Sequence, residues 1–189
     1  MSAVGFLDSD GGIGETLVSE SALRTRIAEL GAQITADYQG RRPLLVCVLR
    51  GAYAFMTDLS RAIDLAVEID FIAVSSYGSS TSTSGVVRLV KDLEQDIAGR
   101  DVILIEDIVD SGLTLRYLRR NLEARNPASL TVCSLLARNR SDLEALGVTY
   151  CGFSIGDEFI IGYGLDVDQR YRNLSYLAIY DQANDPLAG

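Results

Sequence analysis

The chain alternates between short, continuous apolar runs and longer stretches in which apolar residues recur at helical spacing. The run at 44–49 is apolar throughout, and the runs at 102–108 and 129–138 are mostly apolar, which is typical of strands that are buried in a sheet. Helical spacing precedes the first of these runs, from Ser19 onward, and resumes after it from Ala52. This alternation predicts an α/β fold with a central, mostly parallel sheet flanked by helices.

The remaining segments extend this pattern without a linker that would divide the chain. Residues 1–18 contain three closely spaced glycines and are expected to be loose. Helices are further predicted at 113–125 and, as a short element, around 142–146, and strands at 67–76, 86–93, 148–153 and near 175–180. The 189 residues therefore predict a single domain, 1–189, with a core at about 19–180.

The formal net charge of −9 argues against general binding to nucleic acids or anionic membranes, which would repel such a surface. No stretch approaches the roughly 18 apolar residues that a transmembrane helix requires. The first residues lack the basic and apolar segments of a secretory signal, so we expect a cytoplasmic protein. Cys47, Cys133 and Cys151 lie in apolar runs and the chain has no histidine, which favours buried thiols over a metal site or a catalytic cysteine.

The strand predicted at 102–108 ends in three carboxylates, Glu106, Asp107 and Asp110. Ligands of parallel α/β sheets bind at the carboxyl ends of the strands, which is where these side chains emerge. Clustered negative charge costs free energy unless a cation or a positively charged ligand group offsets it. Because Mg²⁺ prefers carboxylate and water oxygens and commonly bridges to phosphates, the segment is a candidate magnesium site.

The turn after Asp110 has features suited to a phosphate group. Ser111, Gly112 and Thr114 bring hydroxyls and backbone amides to the start of a predicted helix, where the helix dipole favours anions. A simpler alternative is that Asp107 or Asp110 only caps this helix. A Walker-type nucleotide site is disfavoured because the sequence lacks G-x-x-x-x-G-K-[ST]. A receiver-type phosphoacceptor domain would leave the Ser-Gly-x-Thr turn unexplained.

The sequence EDIVDSGLTL, residues 106–115, resembles the phosphoribosyl-diphosphate-binding signature of type I phosphoribosyltransferases and is most similar to their hypoxanthine-guanine branch. Three other segments agree with that family in order: LLVCVLRGAY, VSSYGSSTSTSGVVRLVKDL and GFSIGDEFIIGYGLDVDQRYRNLSYLAIY. The resemblance covers roughly residues 44–180. It implies the type I phosphoribosyltransferase fold, with a small hood at about 150–175 plus N-terminal residues, and a flexible lid loop.

The reaction implied by the resemblance belongs to purine salvage. It transfers the 5-phosphoribosyl group of phosphoribosyl diphosphate to hypoxanthine or guanine, giving IMP or GMP and pyrophosphate, with Mg²⁺ as cofactor. An oxocarbenium-like ribose and a charged leaving group favour catalysis by positioning and electrostatics. Asp110 matches the acid/base residue at the purine N7, and Glu106, Asp107 and Asp166 match metal-binding positions. The residues expected to bind phosphoribosyl diphosphate are Arg50, Gly51, Glu106, Asp107, Asp110, Ser111, Gly112, Leu113, Thr114 and Arg172.

The resemblance also assigns the base and the lid. Phe159 matches the aromatic residue that stacks on the purine, Ile160 the residue whose backbone reads the base edge, and Leu165 is expected to pack in the hood over the base. The lid is expected within the Ser/Thr-rich stretch 75–84, with Ser76 and Tyr77 as its candidate contacts. Members of the family suggest a homodimer or a homotetramer.

Two positions depart from the family's usual residues. Arg50 and Arg138 stand where lysine is common, the first in a loop with an unusual cis peptide that would be Leu49–Arg50, the second as the donor to the purine O6. Because arginine is a wider, planar donor, the preferred base stays open. Two alternatives remain: a regulatory protein of the same fold that senses nucleotides, and a transferase for another base, xanthine or a pyrimidine.

Overall fold

The computed structural model describes residues 11–76, 87–138 and 142–187. In chain order the elements are β1 (Ile13–Val18), α1 (Glu20–Asp37), β2 (Leu44–Leu49), α2 (Tyr53–Ala62), β3 (Glu68–Ser76), β4 (Val87–Lys91), β5 (Asp101–Val109), α3 (Leu113–Glu123), β6 (Ser129–Arg138), β7 (Val148–Ile155), β8 (Ile160–Ile161) and β9 (Leu177–Tyr180).

The larger sheet has the strand order β4-β3-β2-β5-β6-β7 and is parallel except for β4, which runs antiparallel to β3 at the edge. This agrees with the predicted mostly parallel α/β sheet. From β2 the chain builds outward on one side through β3 and β4, and then returns to β5 and builds outward on the other. The crevice of an open α/β sheet lies at such a reversal, so the carboxyl ends of β2 and β5 mark the expected ligand site.

The helices cover both faces of this sheet, which explains why β2 is apolar throughout and why β5 is apolar from Val102 to Ile105. On β5, Ile103 and Ile105 pack in the core beneath α1 and α2, whereas Val102 and Leu104 pack in the core beneath α3. All four side chains are fully buried, and each contributes about 1.5–3 kcal/mol of hydrophobic stabilisation. The helix predicted from Ser19 is α1, and the Ser19 hydroxyl caps it by accepting from the Ala22 amide.

We call the small second sheet, β1-β9-β8, together with the segment 162–176 that joins β8 to β9, the hood. The strands β8 and β9 pair antiparallel, as do β9 and β1. The predicted hood, at about 150–175 with N-terminal residues, overlaps this sheet only in part. The strand β7 pairs with β6 in the large sheet, and β9 lies beyond residue 175.

Two local predictions were wrong. Residues 13–18, expected to be loose, form β1, although only Val18 of that strand is buried. The short helix expected around 142–146 is a turn, in which the Asp142 carboxylate accepts from the Ala145 amide at 3.1 Å and the chain leaves through Gly147 at φ 69°. Five residues give too few backbone hydrogen bonds to offset helix nucleation.

The three cysteines are free thiols, and Cys47 and Cys133 are buried. Burial, with smaller contributions from the charges of Asp107 and Glu106, raises the pKa of Cys47 to about 12, which disfavours its reactive thiolate. Among the residues described, no helix combines the length and the apolar character needed to cross a membrane.

Candidate active site

The loops that follow β2 and β5 line one cavity of about 370 Å³ at the reversal in strand order. From the first loop come Arg50 and Gly51, and the peptide bond between Leu49 and Arg50 is cis. From the end of β5 and the turn after it come seven predicted site residues: Glu106, Asp107, Asp110, Ser111, Gly112, Leu113 and Thr114. The structure therefore brings most of the predicted phosphoribosyl-diphosphate residues together.

Glu106 and Asp107 are adjacent carboxylates with abnormally high proton affinity. Glu106 is 6% exposed, and burial, followed by the charge of Asp107, raises its pKa well above the usual range. Burial raises the pKa of Asp107 to about 6, against the lowering effects of the Ile108 amide, which donates at 2.7 Å, and of Arg172. Two carboxylates in so unfavourable a setting gain most from a cation or a ligand that carries positive charge.

A close approach of three segments places the hood against these carboxylates. A Cβ on Gly51 would lie 1.4 Å from Asp107 Oδ2, so only glycine leaves room for that carboxylate. A Cβ on Gly164, whose φ is 102°, would lie 2.0 Å from the Gly51 carbonyl oxygen. The β2 loop, the end of β5 and the hood thus meet through Gly51.

The hood contributes a charged turn at the same place. Arg172 Nη2 lies 2.8 Å from Asp166 Oδ1, and the Gln169 amide donates to Asp166 Oδ2 at 2.8 Å. The Gln169 Oε1 atom accepts from Arg50 Nη1 at 2.9 Å and from Arg172 Nη2 at 3.2 Å. Gln169 was not predicted, and its only signal in the sequence is its position between Asp166 and Arg172. It joins two guanidinium groups that would otherwise repel each other.

The turn after β5 has the conformation expected of a phosphate cradle. The N-cap of α3 is Gly112 at φ 74°, so neither Asp107 nor Asp110 occupies the N-cap position that the simpler alternative gave them. The Ser111 hydroxyl lies 3.5 Å from the Leu113 amide, and the Ser111 carbonyl accepts from Arg116 at 3.2 Å. The positive end of the α3 dipole therefore faces the cavity.

Arg138 and Asp110 form an ion pair beside the cavity. Arg138 Nε lies 3.3 Å from Asp110 Oδ1, and the Arg138 side chain is only 12% exposed. Arg138 Nη1 donates to the carbonyl oxygens of Gly156 and, at 3.2 Å, of Glu158. The two predicted base-site residues from separate strands are thereby held together, and Arg138 is anchored to the segment that leads to Phe159.

Phe159 presents its ring to solvent, 55% exposed, with its centroid 5.6 Å from that of Tyr180. Ile160 and Leu165 are buried in the core, so their side chains support the hood rather than face the cavity. Of the predicted lid, Ser76 ends β3, while Tyr77 and residues 78–84 lie outside the described residues.

The carboxylate oxygens beside the cavity are of the kind that Mg²⁺ prefers, but they are too few to complete its coordination. Glu106, Asp107 and Asp166 could supply oxygen ligands, and the charge of Asp166 acts on Asp107. Within residues 11–76, 87–138 and 142–187, no cluster of three or more potential ligands has the geometry to hold a metal by itself. A cation bound here would take its remaining ligands from water and from a bound diphosphate.

Comparison with known proteins gives consistent matches. Residues 15–168 match the phosphoribosyl transferase domain family. The hypoxanthine-guanine phosphoribosyltransferase of Mycobacterium tuberculosis is 52% identical over 177 residues, which is 90% of this chain and 88% of that protein. The hypoxanthine phosphoribosyltransferase of Escherichia coli is 47% identical, covering 86% of this chain and 93% of that one. A hypoxanthine-guanine phosphoribosyltransferase structure from Bacillus anthracis superposes with a TM-score of 0.83 at 43% identity, covering 89% and 99% of the two chains.

Proposed function

The chain belongs to the phosphoribosyltransferase family, in its hypoxanthine-guanine branch, and we propose that it transfers the 5-phosphoribosyl group of phosphoribosyl diphosphate to hypoxanthine, guanine or both. The products are IMP or GMP and pyrophosphate. The observation that carries this proposal is that the β2 loop and the β5 carboxylates line one cavity, and that the hood turn contacts the β2 loop through Gly164 and Gln169. Each of the three segments has the chemistry that one part of the substrate pair requires.

The 5′-phosphate binds at the turn 111–114. Gly112 allows the left-handed conformation there, and the amides at the start of α3 donate to the phosphate oxygens. Pyrophosphate lies at the other end of the cavity, against Gly51, Arg50 and Arg172. Gln169 accepts from both guanidinium groups and so holds them ready for an anion.

Glu106 and Asp107 lie beneath the ribose, where positive charge develops as the bond to pyrophosphate breaks. Their burial makes the interaction with that charge stronger than it would be in water. Asp107 and Asp166 would hold Mg²⁺ in part, and the ion would neutralise charge on the diphosphate. The protein provides no nucleophile in this mechanism; it positions the two substrates for direct displacement.

The Arg138–Asp110 pair matches the edge of a 6-oxopurine. That edge carries O6 beside N7, and the pair offers a guanidinium donor beside a carboxylate. Arg138 donates to O6, while Asp110 accepts the proton that leaves N7 as the glycosidic bond forms. A 6-aminopurine would direct its own N6 donor at the guanidinium, which leaves both donors unsatisfied. The pair thus favours hypoxanthine and guanine over adenine.

A panel of bases tests the proposal. The purified protein is incubated with phosphoribosyl diphosphate, Mg²⁺ and hypoxanthine, guanine, xanthine, adenine, uracil or orotate in turn, and nucleotide formation is followed. We expect IMP or GMP to form, and chelation of Mg²⁺ to abolish the reaction. Turnover with none of the 6-oxopurines would overturn the proposal, and activity confined to uracil or orotate would favour a transferase for pyrimidines.

We propose that the protein assembles as a homodimer or a homotetramer. Light scattering coupled to gel filtration measures the mass against the 20.5 kDa of one chain. A mass of one chain across the working concentration range would contradict the expectation.

A further inference from the structure

Asp185 carries a fully buried carboxylate outside the cavity described above. Arg170 donates to both of its oxygens, Nη1 to Oδ1 at 3.0 Å and Nη2 to Oδ2 at 2.6 Å. The Tyr180 hydroxyl donates to Oδ2 at 2.5 Å, and the Leu187 amide donates to Oδ1 at 2.9 Å. Such a bidentate pair, with its carboxylate buried and its guanidinium 23% exposed, has far more defined geometry than an ion pair on the surface.

One partner of Asp185 leads to the proposed base-stacking residue. Tyr180 is the last residue of β9, and its backbone amide donates to the Phe159 carbonyl oxygen at 2.8 Å. Its ring lies 5.6 Å from the Phe159 ring and forms a wall beside it. A change in the position of Tyr180 is therefore passed on directly to the aromatic group that faces the base.

The other partner leads to the charged turn of the hood. The amide of Arg170 donates to the Val167 carbonyl at 2.9 Å and the Val167 amide donates back at 3.3 Å, which closes the turn between Asp166 and Arg172. Asp168, Gln169 and Tyr171 have φ values of 48°, 66° and 72°. Side chains other than glycine adopt this left-handed region at a cost, so the turn depends on support from its surroundings.

The packing around the pair leaves no space for a side chain at Gly12. A Cβ on Gly12 would lie 2.4 Å from the Tyr171 hydroxyl and 3.2 Å from Asp185 Cγ. The Gly12 carbonyl accepts from the Asp181 amide at 3.0 Å, which fixes the start of the segment 181–187. Arg170 also places its guanidinium 5.1 Å from the centre of the Tyr171 ring. The carboxylate thus lies where the segment 181–187, the residue before β1 and the hood turn meet.

We propose that Asp185 is a positioning residue for the purine base, acting through Tyr180 on Phe159 and through Arg170 on the turn between Asp166 and Arg172. The competing explanation is that Asp185 only anchors the segment 181–187 and affects stability alone. The kinetic part of the inference rests on the proposed function, whereas its structural part, the placement of the Phe159 ring, does not.

Two substitutions separate these explanations. Asp185→Asn keeps the shape of the side chain but removes its charge, and Tyr180→Phe keeps the ring beside Phe159 but removes the hydroxyl. Asp181→Asn is the matched control, because within the described residues the Asp181 carboxylate accepts from the backbone and side-chain amides of Asn184, and not from Arg170 or Tyr180. We expect Asp185→Asn to raise KM for the base about tenfold, as when one charge-assisted hydrogen bond is weakened. KM for phosphoribosyl diphosphate is expected to rise less. Tyr180→Phe is expected to raise KM for the base by a smaller factor, and Asp181→Asn is expected to leave both KM values unchanged.

A reporter at position 159 supplies a readout that does not depend on activity. The chain has no tryptophan, so Phe159→Trp introduces a single tryptophan, whose fluorescence can be excited selectively at wavelengths that the nine tyrosines do not absorb. With Asp185→Asn added, we expect acrylamide to quench this fluorophore more strongly, whereas the addition of Asp181→Asn leaves quenching unchanged. If the wild-type protein fails with every base, the proposed function is wrong, and the quenching experiment still decides the positioning of residue 159.

The proposal is overturned if Asp185→Asn lowers the melting temperature while the KM for the base and the quenching stay at their control values. Equal increases in both KM values, without a change in quenching, also contradict it. Should Asp185→Asn fail to fold, Tyr180→Phe decides in its place, since it removes one hydroxyl. If Tyr180→Phe has the same KM for the base and the same quenching as Asp181→Asn, the proposal is overturned.

Discussion

Arg138 Nε lies 3.3 Å from Asp110 Oδ1, which joins the end of β6 to the turn that follows β5. The same guanidinium donates through Nη1 to two carbonyl oxygens of the segment before Phe159. A lysine carries a single ammonium group and cannot hold the carboxylate and both carbonyls in one planar arrangement. The arginine therefore fixes the geometry of the proposed base site before any base arrives.

Replacing Arg138 tests that role. We expect Arg138→Gln to raise KM for the base by about one to two orders of magnitude, because the donor to O6 and the partner of Asp110 are lost together. KM for phosphoribosyl diphosphate is expected to change little. Steady-state kinetics with each substrate varied in turn measures both values, with Arg120→Gln on the exposed side of α3 as control. Equal losses for both substrates would argue against a role specific to the base.

Asp110 has a different expected signature, since it acts on the proton at N7. Asp110→Asn keeps the size of the side chain but removes its basicity, so kcat is expected to fall by about 10²-fold or more. Binding of the product nucleotide, measured by calorimetry, is expected to change far less. The exposed Asp64, replaced by Asn, serves as the carboxylate control. A loss of binding as large as the loss of kcat would contradict the acid/base assignment.

The close approach of Gly51 to Asp107 gives a steric prediction. A methyl group at position 51 would overlap Asp107 Oδ2, so Gly51→Ala is expected to displace that carboxylate and weaken the binding of phosphoribosyl diphosphate by at least tenfold. Gly40→Ala is the control, because its Cβ would meet nothing within 4 Å. At φ 76° the control costs about 1–2 kcal/mol of stability but leaves binding intact. Unchanged binding in Gly51→Ala would show that the contact is not required.

The elements that the sequence predicted best are those whose pattern reflects local burial. The strand β6 has the predicted bounds, 129–138, and β2 has the predicted 44–49, because strands covered by helices on both faces are rich in apolar residues on both faces. The strand β1 gave no such signal. It buries only Val18, and its hydrogen-bond partner β9 is far away in the sequence.

The residues of the proposed site were also predicted best where they are contiguous in the sequence. The carboxylates of β5 and the turn after it form one contiguous motif, and the structure brings them to one cavity. The contacts between Gly51 and Asp107 and between Arg138 and Asp110 join different strands, so no pattern of spacing encodes them. Gln169 belongs to this second kind, since its importance appears only once Arg50 and Arg172 are seen on either side of it.

The buried pair of Asp185 and Arg170 predicts how stability depends on pH in acid. The hydrogen bonds from Arg170, followed by those from Tyr180 and Leu187, hold the pKa of Asp185 below its usual range. Below pH ~4 the unfolded chain takes up a proton at this position while the folded chain does not, so the free energy of unfolding falls as pH falls. Above that range both states are ionised and the contribution is fully present.

We therefore expect the free energy of unfolding, measured by chemical denaturation, to depend on pH more steeply in the wild-type protein than in Asp185→Asn. The difference is expected between pH 5 and pH 3, an interval chosen around the usual pKa of about 4. The advantage of the wild-type protein is expected to shrink steadily as the pH is lowered through this interval, because the substituted side chain takes up no proton in either state. Arg170→Gln removes the main cause of the lowered pKa and is expected to flatten the same slope. Parallel curves for wild type and Asp185→Asn would mean that the carboxylate is protonated alike in the folded and unfolded chains, which the enclosed geometry of the pair does not allow.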